Sequence, residues 1–428
     1  MKKIDFRQRT AEKEEHGENA CQKEGGGRKM KFIDFFAGVG GFRRGMELAG
    51  HECVGFCEFD KFATASYTSM HLLTPEQRGF LDKMPLKQRQ KEILKEEYRN
   101  GEWYANDIRR VYAGDIPKAD CWCFGFPCQD ISVAGKQIGF QGNRSSLFFR
   151  VMYLIGQLKE ENKPTYLFIE NVKNLLSVNG GWDFARLLIE MEQGGYDAEW
   201  QVLNSKDFGV PQNRERCFII GHLRGRNTAE VFPVEGTDGE NSVSIIGHRE
   251  GYRRNTQVFS QEGITEALST CQGGGREHHV ALPCFIDLCH EGSRMTEQAR
   301  CLKARYYKGM ANHAGQDSGI AIPVLTPDRA EKRQNGIFVQ VSDELIVYAV
   351  WYEKYKCYIA IRKLTPKECF RLQGWTDDYF ERAQFVNSDS QLYKQAGNGV
   401  TVTVIETIAR KMERDCKKEA NAIWQEDE

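Results

Sequence analysis

The stretch FIDFFAGVGGFRRG, from Phe32 to Gly45, is the most informative part of this chain about its fold. It reads as a buried strand, a glycine-rich turn and the start of a helix. Glycine permits backbone geometry that is closed to other residues, so the turn can be tight. A strand, a turn and a helix of this kind open many nucleotide-binding α/β domains.

The pattern of the first stretch continues on its C-terminal side. KFIDFF, CVGFCEF, DCWCFGF, TYLFIE and CFIIGH read as short buried strands, with helical segments between several of them. This alternation predicts an α/β fold with a doubly wound, mostly parallel sheet. We expect it to occupy residues 30–240, with a charged helical insertion at about 71–105.

The remaining segments differ in character. The charged lead, residues 1–29, is predicted to be disordered. Residues 241–392 are predicted to form a smaller, irregular second lobe, because Gly, His, Arg and Gln interrupt short strand-like pieces. Residues 393–428 are predicted to be a C-terminal helix that returns to the first domain.

Composition limits the class of protein. The chain has 428 residues, with 59 Lys and Arg against 60 Asp and Glu, so its formal net charge is only -1. Any nucleic-acid partner must therefore be held by local basic patches. The 14 cysteines show no regular spacing, and neither a signal peptide nor a membrane-spanning apolar run is present. We expect reduced thiols, a cytoplasmic location and no membrane contact.

The first turn leaves the nucleotide cofactor open. Glu58 ends the second strand, near the usual offset for an acid that binds ribose hydroxyls, which suits NAD, FAD and S-adenosylmethionine alike. In a diphosphate-binding turn the third glycine would stand at the position of Phe42. The pattern therefore disfavours a dinucleotide cofactor. Asp34 and Phe36 would suit a cationic cofactor without phosphate, with the acid near the positive methionine part and the aromatic ring beside the purine.

A second group of residues carries reactive side chains. GFPCQDIS places Cys128 directly after a strand, IENVKNL places Glu170 at the end of the next one, and QNRERCFIIG supplies Arg214 and Arg216. A lone cysteine is usually a small buried apolar residue. A zinc site with Cys121 and Cys123 lacks a matching second ligand pair, and we predict no metal. The combination, in this order after an adenosine turn, favours catalysis.

Together these segments resemble the DNA cytosine-5 methyltransferase family of bacterial or phage type. The resemblance lies in DFFAGVGG, GFPCQ with GKQIGF and RSSLFF, ENV, QNRER, RKLTPKECFRLQGW and QAGNGV, and covers Phe32 to about Cys416. It implies the Rossmann-like fold of methyltransferases that use S-adenosylmethionine. The residues it implies for this cofactor, with the two from the turn, are Asp34, Phe36, Gly38, Gly40, Glu58, Phe59, Asp107, Ile108, Pro127, Leu147, Asn398 and Val400.

The resemblance also implies the chemistry. Cys128 would attack carbon 6 of cytosine, which makes carbon 5 nucleophilic. Glu170 would hold nitrogen 3 and the exocyclic amine, Arg216 would bind the ring carbonyl oxygen, and Arg214 would support Glu170. The target base must be flipped out of the duplex. Gly399 stands where many relatives carry serine, so a backbone contact would be retained there and a hydroxyl contact would not.

Double-stranded DNA is the expected partner, a cognate restriction endonuclease is a further one, and we expect a monomer. The candidate DNA contacts are Gln129, Ser132, Gly273, Gly274, Gly275 and Arg276. Two alternatives are a tRNA cytosine-5 methyltransferase, which usually has a shorter second lobe, and a non-catalytic DNA-binding homologue. A dehydrogenase is a third. The sequence names neither the recognition site nor the base that removes the carbon 5 proton.

Overall fold

A computed structural model of the chain describes residues 29–126, 146–228, 230–236 and 364–414, together with ten strands between residues 245 and 363. Several predicted features lie outside the described residues. These are the lead up to residue 28, the cysteine loop with Pro127, Cys128, Gln129 and Ser132, and the Gly273 to Arg276 loop.

The described residues between 29 and 236 alternate strands and helices. The strands are β1 (Lys31–Phe35), β2 (Glu52–Cys57), β3 (Trp103–Ala105), β4 (Cys121–Phe124), β5 (Tyr166–Val172), β6 (Tyr196–Asn204), β7 (Gln212–Asn213) and β8 (Glu215–Leu223). The helices are α1 (Gly41–Leu48), α2 (Lys61–His71), α3 (Pro75–Asp82), α4 (Leu86–Glu92), α5 (Ser146–Gln157) and α6 (Trp182–Gln193).

Seven of these strands form one sheet in the order β3-β2-β1-β4-β5-β8-β6. The first five run parallel, and β8 is antiparallel to both β5 and β6. This confirms the predicted α/β fold with a mostly parallel sheet. The five strands read from the sequence are β1, β2, β4, β5 and β8.

Both faces of the sheet are buried, as the nearly continuous apolar runs in its strands require. Ile33 and Trp122 face α5 and α6, whereas Phe32 and Cys121 face α1 and α10 (Val402–Arg414), the last of the described helices. Within a strand, neighbouring residues alternate between the two cores. Residues near the carboxyl ends of the strands that point to the same face as Phe32 therefore lie beside α1.

The parallel strands end level with one another. Phe35 of β1 is paired with Cys57 of β2 and with Phe124 of β4, and Phe124 is paired with Ile169 of β5. The residues that directly follow β1, β2, β3 and β4 therefore meet along one edge. In open α/β sheets this carboxyl edge is where ligands bind.

A second sheet lies in the region that we expected to be irregular. Its seven strands are antiparallel in the order β12-β11-β14-β18-β17-β16-β15. The strands of this region are β9 (Ile245–His248), β10 (Gln257–Phe259), β11 (Phe285–Asp287), β12 (Arg294–Thr296), β13 (Ala299–Arg300), β14 (Ser318–Val324), β15 (Ala330–Arg333), β16 (Gly336–Gln340), β17 (Ile346–Tyr352) and β18 (Cys357–Lys363). The second lobe is thus more regular than its composition indicates.

The chain ends in four helices: α7 (Pro366–Arg371), α8 (Asp377–Gln384), α9 (Asp389–Asn398) and α10 (Val402–Arg414). Phe370, Trp375 and Leu392 share a core with Val39 and Met70 of the first domain. Residues 364–392, which we assigned to the second lobe, therefore pack on the first domain. Their apolar side chains provide the reason, because they cover α2 and the glycine turn.

The predicted insertion is helical, and one side of it is buried. Thr74 caps α3 in a reciprocal capping box with Gln77, as the Thr-Pro-Glu signal indicates. Leu81, Ile93 and Tyr98 are buried against Val386. Charge is concentrated on the outer side, notably on α4, which has no buried residue. Among the described residues, no helix has the length and apolar character to cross a membrane.

Candidate active site

The glycine turn after β1 has an unusual backbone. Phe36, Gly38 and Gly40 have φ angles of +55°, +57° and +86°, in the left-handed region. Phe36 is not a glycine, so its conformation is strained, and such strain concentrates at functional sites. A Cβ atom on Gly40 would lie 2.5 Å from Nε2 of His71, which leaves glycine as the residue that fits.

His71 supports this turn from α2, a role that no sequence motif indicates. Its Nε2 atom is 3.0 Å from the carbonyl oxygen of Val39. Burial lowers the pKa of His71 well below its ordinary value, so the ring is neutral. We assign the proton to Nε2, since the carbonyl can only accept.

Glu58 lies where the sequence places a ribose ligand. Its Oε2 atom accepts a hydrogen bond from the backbone N–H of Gly38 at 2.8 Å, and its Oε1 atom accepts one from that of Asp60 at 2.7 Å. Each carboxylate oxygen has a further lone pair. The carboxylate is thus fixed in place and can still accept two hydroxyl donors, which fits the ribose of an adenosine cofactor.

An exposed aromatic side chain, Phe59, follows Glu58 in the chain. The Phe59 side chain is 72% exposed, whereas Ile108 is buried and Leu147 is half-buried against the same core. Asp107 receives two hydrogen bonds of 2.8 Å from the Arg109 side chain, and this pairing lowers its pKa. The arrangement fits a purine on Phe59 whose amino group shares the Asp107 carboxylate.

Asp34 does not lie in the cleft, which corrects the expectation that it contacts the cofactor. Its side chain is fully buried beneath the turn, on the face of β1 that packs against α1. The Oδ2 atom accepts a hydrogen bond of 3.3 Å from the backbone N–H of Arg43. Burial raises the pKa of this carboxyl well above its ordinary value. Asp34 therefore supports the first turn of α1.

The C-terminal block reaches the turn, as the resemblance implies. Val400 contacts Gly41 so closely that a Cβ atom on Gly41 would lie 2.6 Å from Val400 Cγ2. Asn398 is exposed at the end of α9. Arg214 donates a hydrogen bond of 2.7 Å to the carbonyl oxygen of Gly399. The position of Gly399 is therefore set through its backbone, which needs no side-chain hydroxyl.

Glu170 and Arg216 form the second part of the site. Nε of Arg216 is 3.0 Å from Oε1 of Glu170, and the two side chains are only 16% and 12% exposed. Glu170 is paired with Phe218 across β5 and β8, so Arg216 lies on the same face two residues away. A Cβ atom on Gly125 would lie 3.1 Å from Glu170 Oε2.

We expected Arg214 to support Glu170 and Arg216 to bind the ring carbonyl oxygen of the substrate. In the structure Arg216 itself forms an ion pair with Glu170, and Arg214 donates hydrogen bonds to backbone carbonyl oxygens of the C-terminal block. The contact of Arg216 with the substrate stays a prediction. Spacing by two in an extended segment suggested a shared face, but Arg214 lies between β7 and β8 rather than within a strand.

A buried polar network was also missed by the sequence reasoning. The Gln373 side chain donates to the Ala396 carbonyl oxygen at 2.7 Å and accepts from the Thr401 hydroxyl at 2.9 Å. The Thr401 hydroxyl is 2.8 Å from that of Ser205. Gln373 lies in the motif RLQGW, and this was the one feature of the sequence that could have indicated its role. The network joins α9, α10 and the segment before β7.

The loop that carries Cys128 begins directly after the described residues. Its entry is fixed, because Asn171, which follows Glu170, donates a hydrogen bond of 3.4 Å to the carbonyl oxygen of Phe126. Two other thiols near this edge are buried. Burial raises the pKa of Cys217 to about 12 and that of Cys123 well above its ordinary value. Neither is a thiolate at neutral pH.

Comparisons with known proteins identify the family of this chain. The family model for C-5 cytosine-specific DNA methylase matches residues 30–414. The orphan methyltransferase M.SPRI of Bacillus phage SPR is 28% identical, over 90% of this chain and 97% of its own length. The type II methyltransferase M.NlaX of Neisseria lactamica is 30% identical, over 90% of this chain and 96% of its own length.

Solved structures show the same fold. The S. pombe Dnmt2 methyltransferase matches with a TM-score of 0.51 and 15% identity, over 91% of this chain and all of its own. The Entamoeba histolytica methyltransferase EhMeth matches with a TM-score of 0.52 and 16% identity, over 91% of this chain and 99% of its own. By the match over residues 30–414, the chain belongs to the C-5 cytosine-specific DNA methylase family and is a DNA cytosine methyltransferase.

Proposed function

We propose that this enzyme transfers a methyl group from S-adenosylmethionine to carbon 5 of a flipped-out cytosine in duplex DNA, through a covalent adduct with Cys128. The observation that carries the proposal is the ion pair of Glu170 and Arg216 on the same sheet edge as Glu58. In this proposal Glu170 binds the base and Glu58 binds the ribose, and both side chains belong to one cleft.

The cofactor assignment is supported by the fit of the turn. Glu58 offers one acceptor on each oxygen to ribose hydroxyls, and Phe59 offers an exposed ring to a purine. When bound, S-adenosylmethionine supplies an electrophilic methyl group on a sulfonium centre. Phe36, Gly38, Gly40, Ile108, Pro127, Leu147, Asn398 and Val400 complete the proposed pocket.

The proposed chemistry uses side chains of this chain on both sides of the ring. The Cys128 thiolate forms a bond to carbon 6, and Glu170 supplies a proton to nitrogen 3 as charge builds there. Arg216 holds the Glu170 carboxyl in position and would bind the ring carbonyl oxygen. After carbon 5 is methylated, its proton leaves to a base and the Cys128 thiolate is expelled.

Duplex DNA is the proposed substrate, and extrusion of the base costs a few kcal/mol. We propose that Gln129 and Ser132 contact the DNA near the cysteine and that the Gly273, Gly274, Gly275 and Arg276 segment contacts a groove. Although the chain has a formal net charge of -1, binding should weaken steeply with salt, because Lys and Arg in the cleft displace counterions.

We further propose a bacterial or phage enzyme that acts as a monomer in the cytoplasm. The relatives include proteins named as orphan and as type II methyltransferases. A companion restriction endonuclease for this chain stays a prediction.

The test is methyl transfer from radiolabelled S-adenosylmethionine to duplex DNA and, in parallel, to tRNA. We expect label in the duplex alone, and bisulfite sequencing should then give the recognition site. Cys128→Ala is the matched inactive control. Label in tRNA alone would overturn the DNA assignment, and no label in either would contradict the enzymatic proposal.

A further inference from the structure

Lys394 of α9 forms an ion pair with Asp60, the residue directly before α2. The ammonium group contacts the Oδ2 atom of Asp60, and the two side chains are 43% and 31% exposed. The Oδ1 atom accepts hydrogen bonds from the backbone N–H groups of Phe62 at 2.8 Å and Ala63 at 3.3 Å, so it caps α2. Both oxygens are therefore bound, one to the adjacent helix and one to a residue 334 positions later in the chain.

Asp60 also fixes the carboxylate that we assign to the ribose. Its backbone N–H donates a hydrogen bond of 2.7 Å to Oε1 of Glu58, and the N–H of Gly38 donates one of 2.8 Å to Oε2. A movement of Asp60 would change the direction of its N–H group and, with it, the position of the Glu58 carboxylate.

The side-chain charge of Asp60 opposes the effect of its backbone. Burial raises the pKa of Glu58, the Asp60 N–H lowers it, and the Asp60 carboxylate raises it again, because like charges disfavour ionisation. Burial acts to raise the pKa of Asp60 itself, but the contacts with Lys394 and with backbone N–H groups together outweigh burial. Lys394 thus supplies a cation that offsets the negative charge beside Glu58.

The helix that carries Lys394 also carries another part of the proposed cofactor pocket, since α9 ends at Asn398. The neighbouring Gln395 is buried. Its amide donates to the carbonyl oxygen of Phe62 at 3.1 Å and accepts from the Ser66 hydroxyl at 2.9 Å. A buried amide and a partly exposed ion pair therefore attach α9 to the first turns of α2. Of these two contacts, the ion pair is the one that involves a residue bound to Glu58.

We propose that Lys394 is a positioning residue for the cofactor site, which acts through Asp60 to fix the Glu58 carboxylate and to offset the charge of its acidic neighbour. Lys394 needs no contact with the cofactor for this role. The inference rests on the proposed function, because it takes Glu58 as the ligand of the ribose of S-adenosylmethionine. It predicts an effect of Lys394 on cofactor affinity rather than on the chemical step.

The test is titration calorimetry with S-adenosylmethionine on the full chain and on Lys394→Met, which removes the charge and retains the length of the side chain. We expect the affinity to fall about threefold to tenfold. Lys394→Arg should restore most of it. In methyl transfer to duplex DNA, KM for the cofactor should rise by the same factor, and kcat at saturating cofactor should stay within about twofold.

Lys367→Met is the matched control. It removes a lysine of the same C-terminal block that contacts Asp377 at 2.9 Å and Glu381 at 3.3 Å, both on α8. It should change neither cofactor affinity nor KM. Urea unfolding without cofactor separates positioning from a structural role. Lys394→Met should leave the midpoint nearly unchanged, because partly exposed ion pairs contribute little to folding.

A double-mutant cycle tests whether Lys394 acts through Asp60. Asp60→Asn retains a capping oxygen and the backbone N–H to Glu58, and it removes the charge. In this background, Lys394→Met should weaken the affinity no further.

The proposal fails on any of three results. They are equal cofactor affinity in the wild type and Lys394→Met, a loss of affinity that Lys394→Arg does not restore, and an undiminished loss in the Asp60→Asn background. All three are measured on a wild type that binds S-adenosylmethionine. A wild type that does not bind it would instead overturn the proposed function, and this inference with it.

Discussion

Arg216 holds Glu170 across two antiparallel strands, with its Nε atom 3.0 Å from Glu170 Oε1. We expect Arg216→Ala to lower kcat/KM about tenfold to a hundredfold, because a hydrogen bond to a charged group contributes about 1.5 to 3 kcal/mol. Single-turnover methyl transfer to duplex DNA measures this. Lys173→Gln is the matched control, since it breaks the adjacent exposed ion pair with Glu215 and should change little.

Gly125 sets the space for the same carboxylate. A Cβ atom there would lie 3.1 Å from Glu170 Oε2, so Gly125→Ala should displace the carboxylate. A shift of about 1 Å can reduce a rate roughly a hundredfold, and we expect a loss of that order in methyl transfer. Cofactor affinity, measured by calorimetry, should be retained.

Gly79→Ala is the control for this substitution. Gly79 lies inside α3, and a Cβ atom there meets nothing within 4 Å. We expect unchanged activity and a gain in the free energy of unfolding of about 0.4 to 1 kcal/mol. Full activity in Gly125→Ala would show that Glu170 tolerates displacement.

Glu58→Gln should weaken the binding of S-adenosylmethionine about tenfold to a hundredfold. In this variant an NH₂ group replaces one of the two carboxylate oxygens, and it cannot accept a hydrogen bond. Either the backbone N–H of Gly38 or that of Asp60 therefore loses its acceptor, in addition to the lost ribose contact. Calorimetry measures the affinity. The exposed Glu52→Gln is the control on the same strand. Unchanged affinity in Glu58→Gln would remove the ribose assignment.

The pH dependence of cofactor binding provides a second test of Glu58. Burial raises the pKa of Glu58. In the folded protein the Glu58 carboxyl group therefore keeps its proton over a range of pH in which the same group of the unfolded chain is ionised. The contribution of Glu58 to folding stability therefore falls as pH rises through that window. Cofactor affinity should change in the opposite direction and rise with pH, because the ionised carboxylate accepts both hydroxyls.

Neighbouring acids should not mask this effect. Arg109 lowers the pKa of Asp107, and Lys394 and backbone N–H groups lower that of Asp60. Both stay ionised where Glu58 titrates. Calorimetry between about pH 5 and pH 8 should show the rise in the wild type and a flatter profile in Glu58→Gln. Equal slopes in the two proteins would contradict the assignment.

A duplex with 5-fluorocytosine at the target should trap the covalent adduct. Fluorine cannot leave as a cation, so the cycle should stop after methyl transfer with Cys128 still bonded to carbon 6. The protein–DNA adduct should survive a denaturing gel, only when S-adenosylmethionine is present. Cys128→Ala should abolish it and retain cofactor binding.

Cys123→Ala is the matched control for the trapping experiment. Cys123 is fully buried in β4, and burial raises the pKa of its thiol well above the ordinary value. This variant should still form the adduct. If Cys128→Ala still formed the adduct and the double variant without Cys123 did not, Cys123 would be the nucleophile and the assignment of Cys128 would be wrong.

Gln373→Ala should destabilise the protein rather than alter the chemistry directly. It removes the hydrogen bonds to Ala396 and Thr401 and leaves buried polar groups unpaired. An unsatisfied buried group costs about 1 to 3 kcal/mol, and we expect a loss of that size in urea unfolding. Gln384→Ala, at an exposed position, should cost far less. Equal stability of the two variants would show that the network is dispensable.

The sequence by itself determined the α/β class, the central strands and the order of the motifs. These features depend on neighbours in the chain, because apolar runs, glycine turns and caps act over a few residues. Glu58, Asp107 and Glu170 could be placed on one edge for the same reason. Glu58 and Asp107 follow strands, Glu170 lies two residues before the end of β5, and parallel strands present their carboxyl ends together.

The tertiary structure decided which side chains meet. The pairing of Glu170 with Arg216 rather than Arg214 depends on the register of β5 and β8, which is set by residues more than 40 positions apart. The burial of Asp34 and the packing of residues 364–392 on α2 likewise depend on which face a helix covers. Local propensity carries no information on such long-range contacts, because they are selected by burial and hydrogen bonding of the whole chain.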